Sequence, residues 1–266
     1  DIFLNANVEY ILITGASSGL GYEYATALAA QQQNLIITAR REDRLITLAN
    51  DLQKKHAISV KVIVSDLAQQ GATTIVETIS SNKWQLCGLI NNAGFGIRLP
   101  FSQIDPQQQI DMINVNVTSL VTLTQALHEN LKQGRNPFVI NVASTASFQS
   151  GPYMATYYAT KAFVRSFSDA LTEEFKKDGI KVSCICPGPT TTEFGDISGL
   201  AGKKWFQAAC MRADTVVNIS LKNIHKAVVI AGFRNKLLML FSTHFPANWR
   251  KKIIAKIQQQ SNHQQT

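Results

Sequence analysis

An open, doubly wound α/β sheet is the fold this sequence predicts, and three observations predict it. Short apolar runs alternate with stretches of helical periodicity, the pattern of strand–crossover–strand units that build a parallel sheet. The first apolar run, Val8-Glu-Tyr-Ile-Leu-Ile-Thr14, leads straight into a glycine-rich turn, Gly15-Ala-Ser-Ser-Gly19-Leu-Gly21, with a helical pattern behind it. Later, Ser144 falls at the end of the apolar run Pro137-Phe-Val-Ile-Asn-Val-Ala143, and ligands of open α/β sheets bind outside the carboxyl ends of the strands. With 266 residues and 45% apolar content the chain can bury a large core, and no linker or repeat divides it. Residues 1–266 are therefore expected to form a single domain.

In the first turn, glycine lets the backbone bend sharply, brings amide N–H groups near phosphate oxygens and packs the following helix closely on the sheet. Gly15, Ser17, Ser18, Gly19, Leu20 and Gly21 are thus candidate nucleotide contacts, although a Gly/Ser-rich turn needs no ligand. The second strand, Asn34-Leu-Ile-Ile-Thr-Ala39, ends without the carboxylate that would accept from a ribose 2′-hydroxyl. Arg40-Arg41 follows instead, and a guanidinium holds a 2′-phosphate through two parallel charge-assisted hydrogen bonds. NADP(H) is therefore favoured over NAD(H), with Arg40 as the reader. The alternative is that both arginines merely open a solvated helix running through Glu42, Asp43 and Arg44, from which either acid could reach the ribose.

Leu45, Leu48, Ala49 and Leu52 place a core-facing helix over about 41–55, and Val60-Lys-Val-Ile-Val64 is the third strand. Asp66 and Leu67 follow it, with Asp66 placed either to accept from an adenine amino group or to cap a turn. Gly88-Leu-Ile-Asn91-Asn92-Ala93-Gly94 ends a fourth strand in small residues and amides that line a cofactor or brace a neighbouring strand. A helical stretch from about Pro106 to Leu131 carries Asn114 and Asn116. Asparagine is mildly unfavourable there, so Asn116 is expected to bind water or distort the helix, although chemistry alone does not choose between Asn114 and Asn116.

Tyr157 and Lys161 are four apart in a segment of helical pattern, which sets phenol and ammonium on one face. Lowering a phenol from its usual pKa of about 10 by roughly three units needs about 4 kcal/mol, and a cation at ~4 Å in a medium of effective dielectric ~20 supplies that much. Beside the Ser144 hydroxyl, such a pair could protonate a carbonyl oxygen as hydride arrives, or take the proton from an alcohol in reverse. A surface Tyr/Lys pair is the plain alternative. Lys181-Val-Ser-Cys-Ile-Cys186 is a sixth strand; Pro187 and Gly188 then turn the chain, and Thr190, Thr191 and Thr192 offer hydroxyls. Residues 193–210 read as an aperiodic substrate loop, Ala227–Ala231 as the last strand, and 232–266 as a basic helical C-terminal extension.

Composition excludes several classes. The four cysteines, Cys87, Cys184, Cys186 and Cys210, lack zinc-site spacing and read as reduced thiols of a cytoplasmic protein. The five histidines form no ligand pair, so no metal is expected, and no signal peptide is visible. The net charge of +8 is uneven: after Gly202 stand eleven basic residues against the single acid Asp214. Such a patch suits an anionic membrane, an acidic carrier protein or nucleic acid; peripheral membrane contact is kept open and nucleic acid is not expected. Leu237–Phe241 is too short to span a bilayer, and Trp249, Ile253, Ile254 and Ile257 share one helix face suited to core, dimer or membrane-surface packing.

Taken together, Thr14-Gly15-Ala16-Ser17-Ser18-Gly19-Leu20-Gly21, Asp66, Asn91-Asn92-Ala93-Gly94, Asn116, Ser144, Tyr157-x-x-x-Lys161 and Pro187-Gly188 make the chain resemble the short-chain dehydrogenase/reductase family from about Val8 to Ala231. The resemblance implies a Rossmann-type, seven-stranded parallel sheet with helices on both faces, and a homodimer or homotetramer. It makes Asn116 the family's helix asparagine, Tyr157 its acid/base, Lys161 its ribose-binding, pKa-lowering lysine, and Ser144 its carbonyl-orienting hydroxyl, with Tyr158 a decoy. It also sets Pro187 and Gly188 at the cofactor carboxamide, with Thr190 and Thr192 nearby, and agrees with NADP through Arg40. The expected activity is an NADPH-dependent carbonyl reductase, reversible as an alcohol dehydrogenase, on a small-molecule ketone, aldehyde or secondary alcohol. A 3-oxoacyl thioester reductase and a catalytically quiet NADP-binding regulator are the alternatives. The basic tail past Ala231 departs from the shortest members of the family.

Overall fold

The computed structural model describes residues 8–198, 204–244 and 246–258. In chain order it runs β1 (Glu9–Thr14), α1 (Gly19–Ala30), β2 (Asn34–Ala39), α2 (Glu42–His56), β3 (Val60–Val64), α3 (Gly71–Ser81) and β4 (Gln85–Asn91). The second half follows with α4 (Pro106–Ile113), α5 (Ser119–Ala126), α6 (His128–Lys132), β5 (Phe138–Val142), α7 (Ala155–Glu174) and β6 (Lys181–Cys186). Then come β7 (Thr190–Thr191), α8 (Phe194–Ile197), α9 (Lys204–Ala209), β8 (Met211–Arg212), α10 (Ala213–Lys222), β9 (Val228–Ile230), α11 (Phe233–His244) and α12 (Ala247–Gln258).

Seven strands make one parallel sheet in the order β3-β2-β1-β4-β5-β6-β9. Alternation within the strands decides its two faces. Ile11, Ile13, Leu35 and Ile37 enter one apolar cluster with Tyr24 and Leu28 of α1, Leu45 and Leu48 of α2, and Val216 and Val217 of α10. Tyr10, Leu12, Ile36 and Leu89 enter the other with Ile75 and Ile79 of α3, Leu123 of α5, Leu131 of α6 and Leu171 of α7. Because both faces are buried, the strands read as continuous apolar runs. The chain works outward from β1 to β3, crosses back to β4 and then builds the other half, so the switch point lies between β1 and β4.

Three details differ from the sequence reading. The helix expected from Pro106 to Leu131 is interrupted by a wide π turn at Asn114–Thr118, and α5 and α6 are separate. The extra residue in that turn accompanies the Asn116 side chain's commitment to the Phe95 backbone: its Nδ2 donates to Phe95 O and its Oδ1 accepts from Phe95 N, both at 3.0 Å. Residues 193–210 are not uniformly irregular: α8 and α9 occupy their ends, too short to show periodicity, while 199–203 lie outside the described residues. The parallel pair β7–β8 ties the two sides of this excursion together. Among the described residues no helix is long and apolar enough to cross a membrane, and the four cysteines are free.

One buried hydrogen bond joins the first helix to one nearly two hundred residues later: Tyr24 Oη donates to Ser220 Oγ at 2.6 Å, with both residues at most 1% exposed. Tyr24→Phe leaves that hydroxyl buried without its donor, so the urea midpoint should fall by the equivalent of about 1–2 kcal/mol at unchanged slope.

Candidate active site

The switch point is closed by one side chain. Thr14 Oγ1, at the end of β1, accepts from the backbone N–H of Asn92 and of Ala93, each at 3.0 Å, and Asn92 Nδ2 donates back to Thr14 O at 2.9 Å. Beside this clamp the chain turns through Gly15 with φ 68°, a left-handed conformation in which a Cβ would also stand 2.9 Å from Ala93 Cα. A Cβ on Gly21 would run into the Gly15 carbonyl, which is how α1 packs so near the sheet. Helix α1 therefore begins at the cleft with its unpaired N–H groups and positive dipole end toward it. Ser18, at its N-cap, makes no capping bond; its Oγ accepts from Arg41 Nη2 at 2.8 Å.

Across the cleft, β5 delivers Ser144 and α7 delivers Tyr157 and Lys161. Ser144 Oγ accepts from Ala146 N at 3.1 Å, donates to Pro187 O at 3.5 Å, and draws the pKa of the Tyr157 phenol down. Lys161 Nζ donates to Val142 O at 2.8 Å and lies 5.9 Å from the centroid of the Tyr157 ring. Asn116 is buried behind them; besides its two bonds to Phe95 it donates to Thr160 Oγ1 at 3.0 Å, and Thr160 in turn donates to Tyr157 O. A Cβ on Gly94 would stand 3.0 Å from Asn116 Oδ1 and 3.2 Å from Lys161 Nζ, so glycine there leaves room for both groups.

Electrostatics at this pair differ from the sequence expectation. Burial pushes the Tyr157 phenol above its ordinary range, outweighing the downward pull of Ser144. The Lys161 ammonium stands over the Tyr157 ring and donates to the Val142 carbonyl. Burial in turn lowers Lys161 to about 8, against the favourable fields of Cys184 and Cys186. The side chains alone thus hold the phenol protonated, the form that donates.

One cavity of about 640 Å³ gathers these groups. It is lined by Gly15, Ser17, Ser18, Gly19 and Leu20 of the turn; by Arg40, Asp66 and Leu67; by Asn92 and Gly94; and by Ser144, Tyr157, Lys161, Pro187, Gly188, Thr190 and Thr192. Gly21, Ala93 and Asn116 stand behind the lining as supports. Asp66 lines the cavity and also accepts from Ala68 N at 3.0 Å, so it caps its turn. Thr190 Oγ1 is turned to Gly188 O at 2.9 Å.

Several lining residues were absent from the sequence-derived set. Arg41, rather than Arg40, reaches the glycine turn: its Nε and Nη2 donate to Ser17 Oγ at 3.2 and 3.0 Å, and its Nη1 pairs with Glu193 at 2.9 Å. Glu193 also pairs with Arg44, and the two guanidiniums, Arg44 first, hold its carboxyl down at about 2. Tyr158 lines the cavity and accepts from Gln258 Nε2 at 3.2 Å, while Arg98 Nη1 donates to Gln258 O at 3.1 Å, so α12 forms part of the wall. The Arg40-Arg41 pair was visible in the sequence; the α12 contacts, at a separation of 100 residues or more, had no local signal.

The donor set fits a dinucleotide. Left-handed Gly15 and Gly19 open a cradle at the start of α1, and a guanidinium and an ammonium stand at its two ends. A profile of the short chain dehydrogenase family matches residues 9–198. The chain belongs to that family. Short chain dehydrogenases are NAD(P)-dependent oxidoreductases, and several relatives are similar to this one. A very-long-chain 3-oxoacyl-CoA reductase of Phaeosphaeria nodorum is 33% identical over 195 residues, 71% of this chain and 57% of that protein. The chain spans a little over half the length of such fungal relatives. Among solved structures, a short-chain dehydrogenase from Sphingobium yanoikuyae in complex with NADPH is 27% identical with a TM-score of 0.77, covering 97% of this chain and 98% of that one. The bulky-bulky ketone specific alcohol dehydrogenase of Comamonas testosteroni is 26% identical with a TM-score of 0.73, covering 98% of each chain.

The buried ammonium of this short chain dehydrogenase carries a pH signature. Lys161 drops from 10.5 to about 8, so the folded apoprotein bears a cost of roughly 3 kcal/mol at neutral pH that disappears as pH rises from about 8 to about 10.5, where only the unfolded chain still holds the proton. Relative to Lys161→Met, the parent apoprotein should therefore gain stability across that window. The pH dependence of the difference in urea midpoints reads it, and a constant difference would contradict the assignment.

Proposed function

We propose that the protein is an NADPH-dependent carbonyl reductase, reversible as an alcohol dehydrogenase, acting on a ketone, aldehyde or secondary alcohol. The observation that carries this reading is a neutral, buried Tyr157 phenol that shares with Ser144 the cavity that also holds the glycine turn and Lys161. NADPH, when bound, supplies the hydride. Ser144 Oγ and Tyr157 Oη together hold a carbonyl oxygen, and the phenol gives up its proton as negative charge develops there. Lys161 keeps a positive charge beside the phenol, which favours the phenolate as it forms, and Asn116 with Thr160 fixes the backbone under Tyr157. Gly15, Ser17, Ser18, Gly19 and Leu20 would receive the pyrophosphate, and Asp66, Leu67, Asn92, Ala93, Gly94, Pro187, Gly188, Thr190 and Thr192 would surround the remainder.

For the 2′-phosphate, Arg41 joins Arg40 as the reader. Arg41 and Arg44 already hold an anion, the Glu193 carboxylate, so a phosphate meets cations arranged for negative charge and competes with Glu193 for them. In the same reading residues 1–266 act as one catalytic domain, 193–210 as substrate loop and 232–266 as an extension over the pocket, with a small-molecule substrate. Assembly as a dimer or tetramer would run through α5 and α7, where Phe163 is exposed and stacked on Phe167.

A 3-oxoacyl thioester reductase is the second reading, favoured by the similarity to fungal very-long-chain 3-oxoacyl-CoA reductases. The apolar wall of Phe95, Met154, Phe194 and Ile254 suits an acyl chain as well as a bulky ketone. A quiet NADP-binding regulator has no use for the joined Ser144, Tyr157 and Lys161.

Tyr157→Phe should reduce turnover about 10²- to 10⁴-fold while NADPH binding, followed by fluorescence titration, is unchanged; near-parent turnover would remove the mechanism. Arg41→Ala should weaken NADPH by about 10- to 100-fold and NADH little, and equal losses for both would show that the 2′-phosphate is read elsewhere.

A further inference from the structure

Helix α12 has two apolar sides, and the fold uses one. Inward, Ile254 packs with Met154, Tyr157 and Tyr158, and Gln258 is bonded to Tyr158. Outward, Trp249, Ile253 and Ile257 follow at four-residue intervals and are 65%, 52% and 38% exposed. Lys252 and Lys256 flank this stripe on one edge and Arg250 on the other. Helix α11 repeats the pattern: Phe233 and Leu237 are exposed four residues apart, with Arg234 and Lys236 at their edges. The cavity reaches this surface, because Leu238 of α11 and Ile257 of α12 both line it and both face solvent. Among the described residues, Arg234, Lys236, Lys252 and Lys256 form no ion pair.

We infer that α11 and α12 dock on an anionic bilayer surface, with the mouth of the cavity opening toward the lipid. A second copy of the chain is a poor occupant, since it would set one basic surface, six cations and no acid over residues 233–258, on another. Negative charge is the complement. An aromatic and branched aliphatic stripe edged by lysines is the arrangement of a helix that lies in the headgroup boundary, with rings and aliphatic chains below it and ammonium groups at the phosphates. The docked geometry names a substrate class: a ketone or alcohol on a long hydrocarbon chain, passing from the bilayer between Leu238 and Ile257 to Tyr157. That step rests on the carbonyl-reductase reading; the docking does not.

Co-sedimentation with vesicles tests it on the full chain, without turnover. The protein should pellet with equimolar phosphatidylserine and phosphatidylcholine, less so as salt is raised, and not with phosphatidylcholine alone. Tryptophan emission should shift to the blue on binding, and this shift should be lost in Trp249→Phe. Lys252→Glu with Lys256→Glu should lower vesicle partitioning on the order of 30-fold while turnover of a small water-soluble ketone is retained, and Ile253→Ser should lower it at unchanged oligomeric state. Absence of pelleting, equal pelleting of the charge-reversed variant, or binding to soluble polyglutamate but not to vesicles would overturn the inference. So would an Ile253→Ser variant that dissociates an oligomer, since the stripe would then be a contact between copies. Tyr157→Phe should bind vesicles like the parent, which separates failure of docking from failure of the catalytic reading.

Discussion

The clamp between the ends of β1 and β4 is the constraint on which the rest of this molecule depends. Thr14 Oγ1 receives two backbone N–H groups from the far strand, and Asn92 returns a bond to the Thr14 carbonyl. Each such bond contributes only about a kilocalorie per mole net, yet leaving any of these buried groups unpaired would cost more. The clamp also forces the chain to leave β1 through a left-handed glycine and brings α1 close enough that Gly21 touches Gly15. The phosphate-sized cradle, the helix end that borders it and the position of Gly94 against Lys161 all follow from two strand ends held at one spacing.

On the other wall the controlling fact is desolvation. A phenol and an ammonium buried together each shift toward the neutral form, Tyr157 upward and Lys161 downward. Neither group is at rest in the usual sense, and the folded chain spends stability on keeping an amine in an apolar interior. Such expense is common where a site must answer to a change of charge, because a group brought closer to neutral pH, as Lys161 is at about 8, responds to small fields. Ser144 pulls the phenol the other way.

Much of this was legible in the sequence because the signals are local. A strand running into glycines, a Tyr and a Lys one helical turn apart, and a serine after an apolar run each declare themselves within a few residues, and the strands Asn34–Ala39, Val60–Val64 and Lys181–Cys186 fall where their composition places them. The π turn at Asn116 was legible only as a misfit, an asparagine in a helix, since its cause is the backbone of Phe95 twenty-one residues earlier. Arg41 was named beside Arg40 but not chosen as a contact, because adjacent side chains on a strand end diverge and only the path of the turn decides which one meets Ser17 and Ser18. Tyr158 was discounted on spacing, whereas its partner, Gln258, lies one hundred residues away.

That last contact has a consequence for how the protein is made. The glycine turn, Ser144, Tyr157 and Lys161 all leave the ribosome well before α12, and domains begin to organise as they emerge. Until α12 is made, the apolar hollow at Met154, Tyr157 and Tyr158 lacks the cover that Ile254 and Gln258 give it in the folded chain. The final described helix thus completes the pocket it walls, and the hollow stays incomplete for as long as that helix is missing.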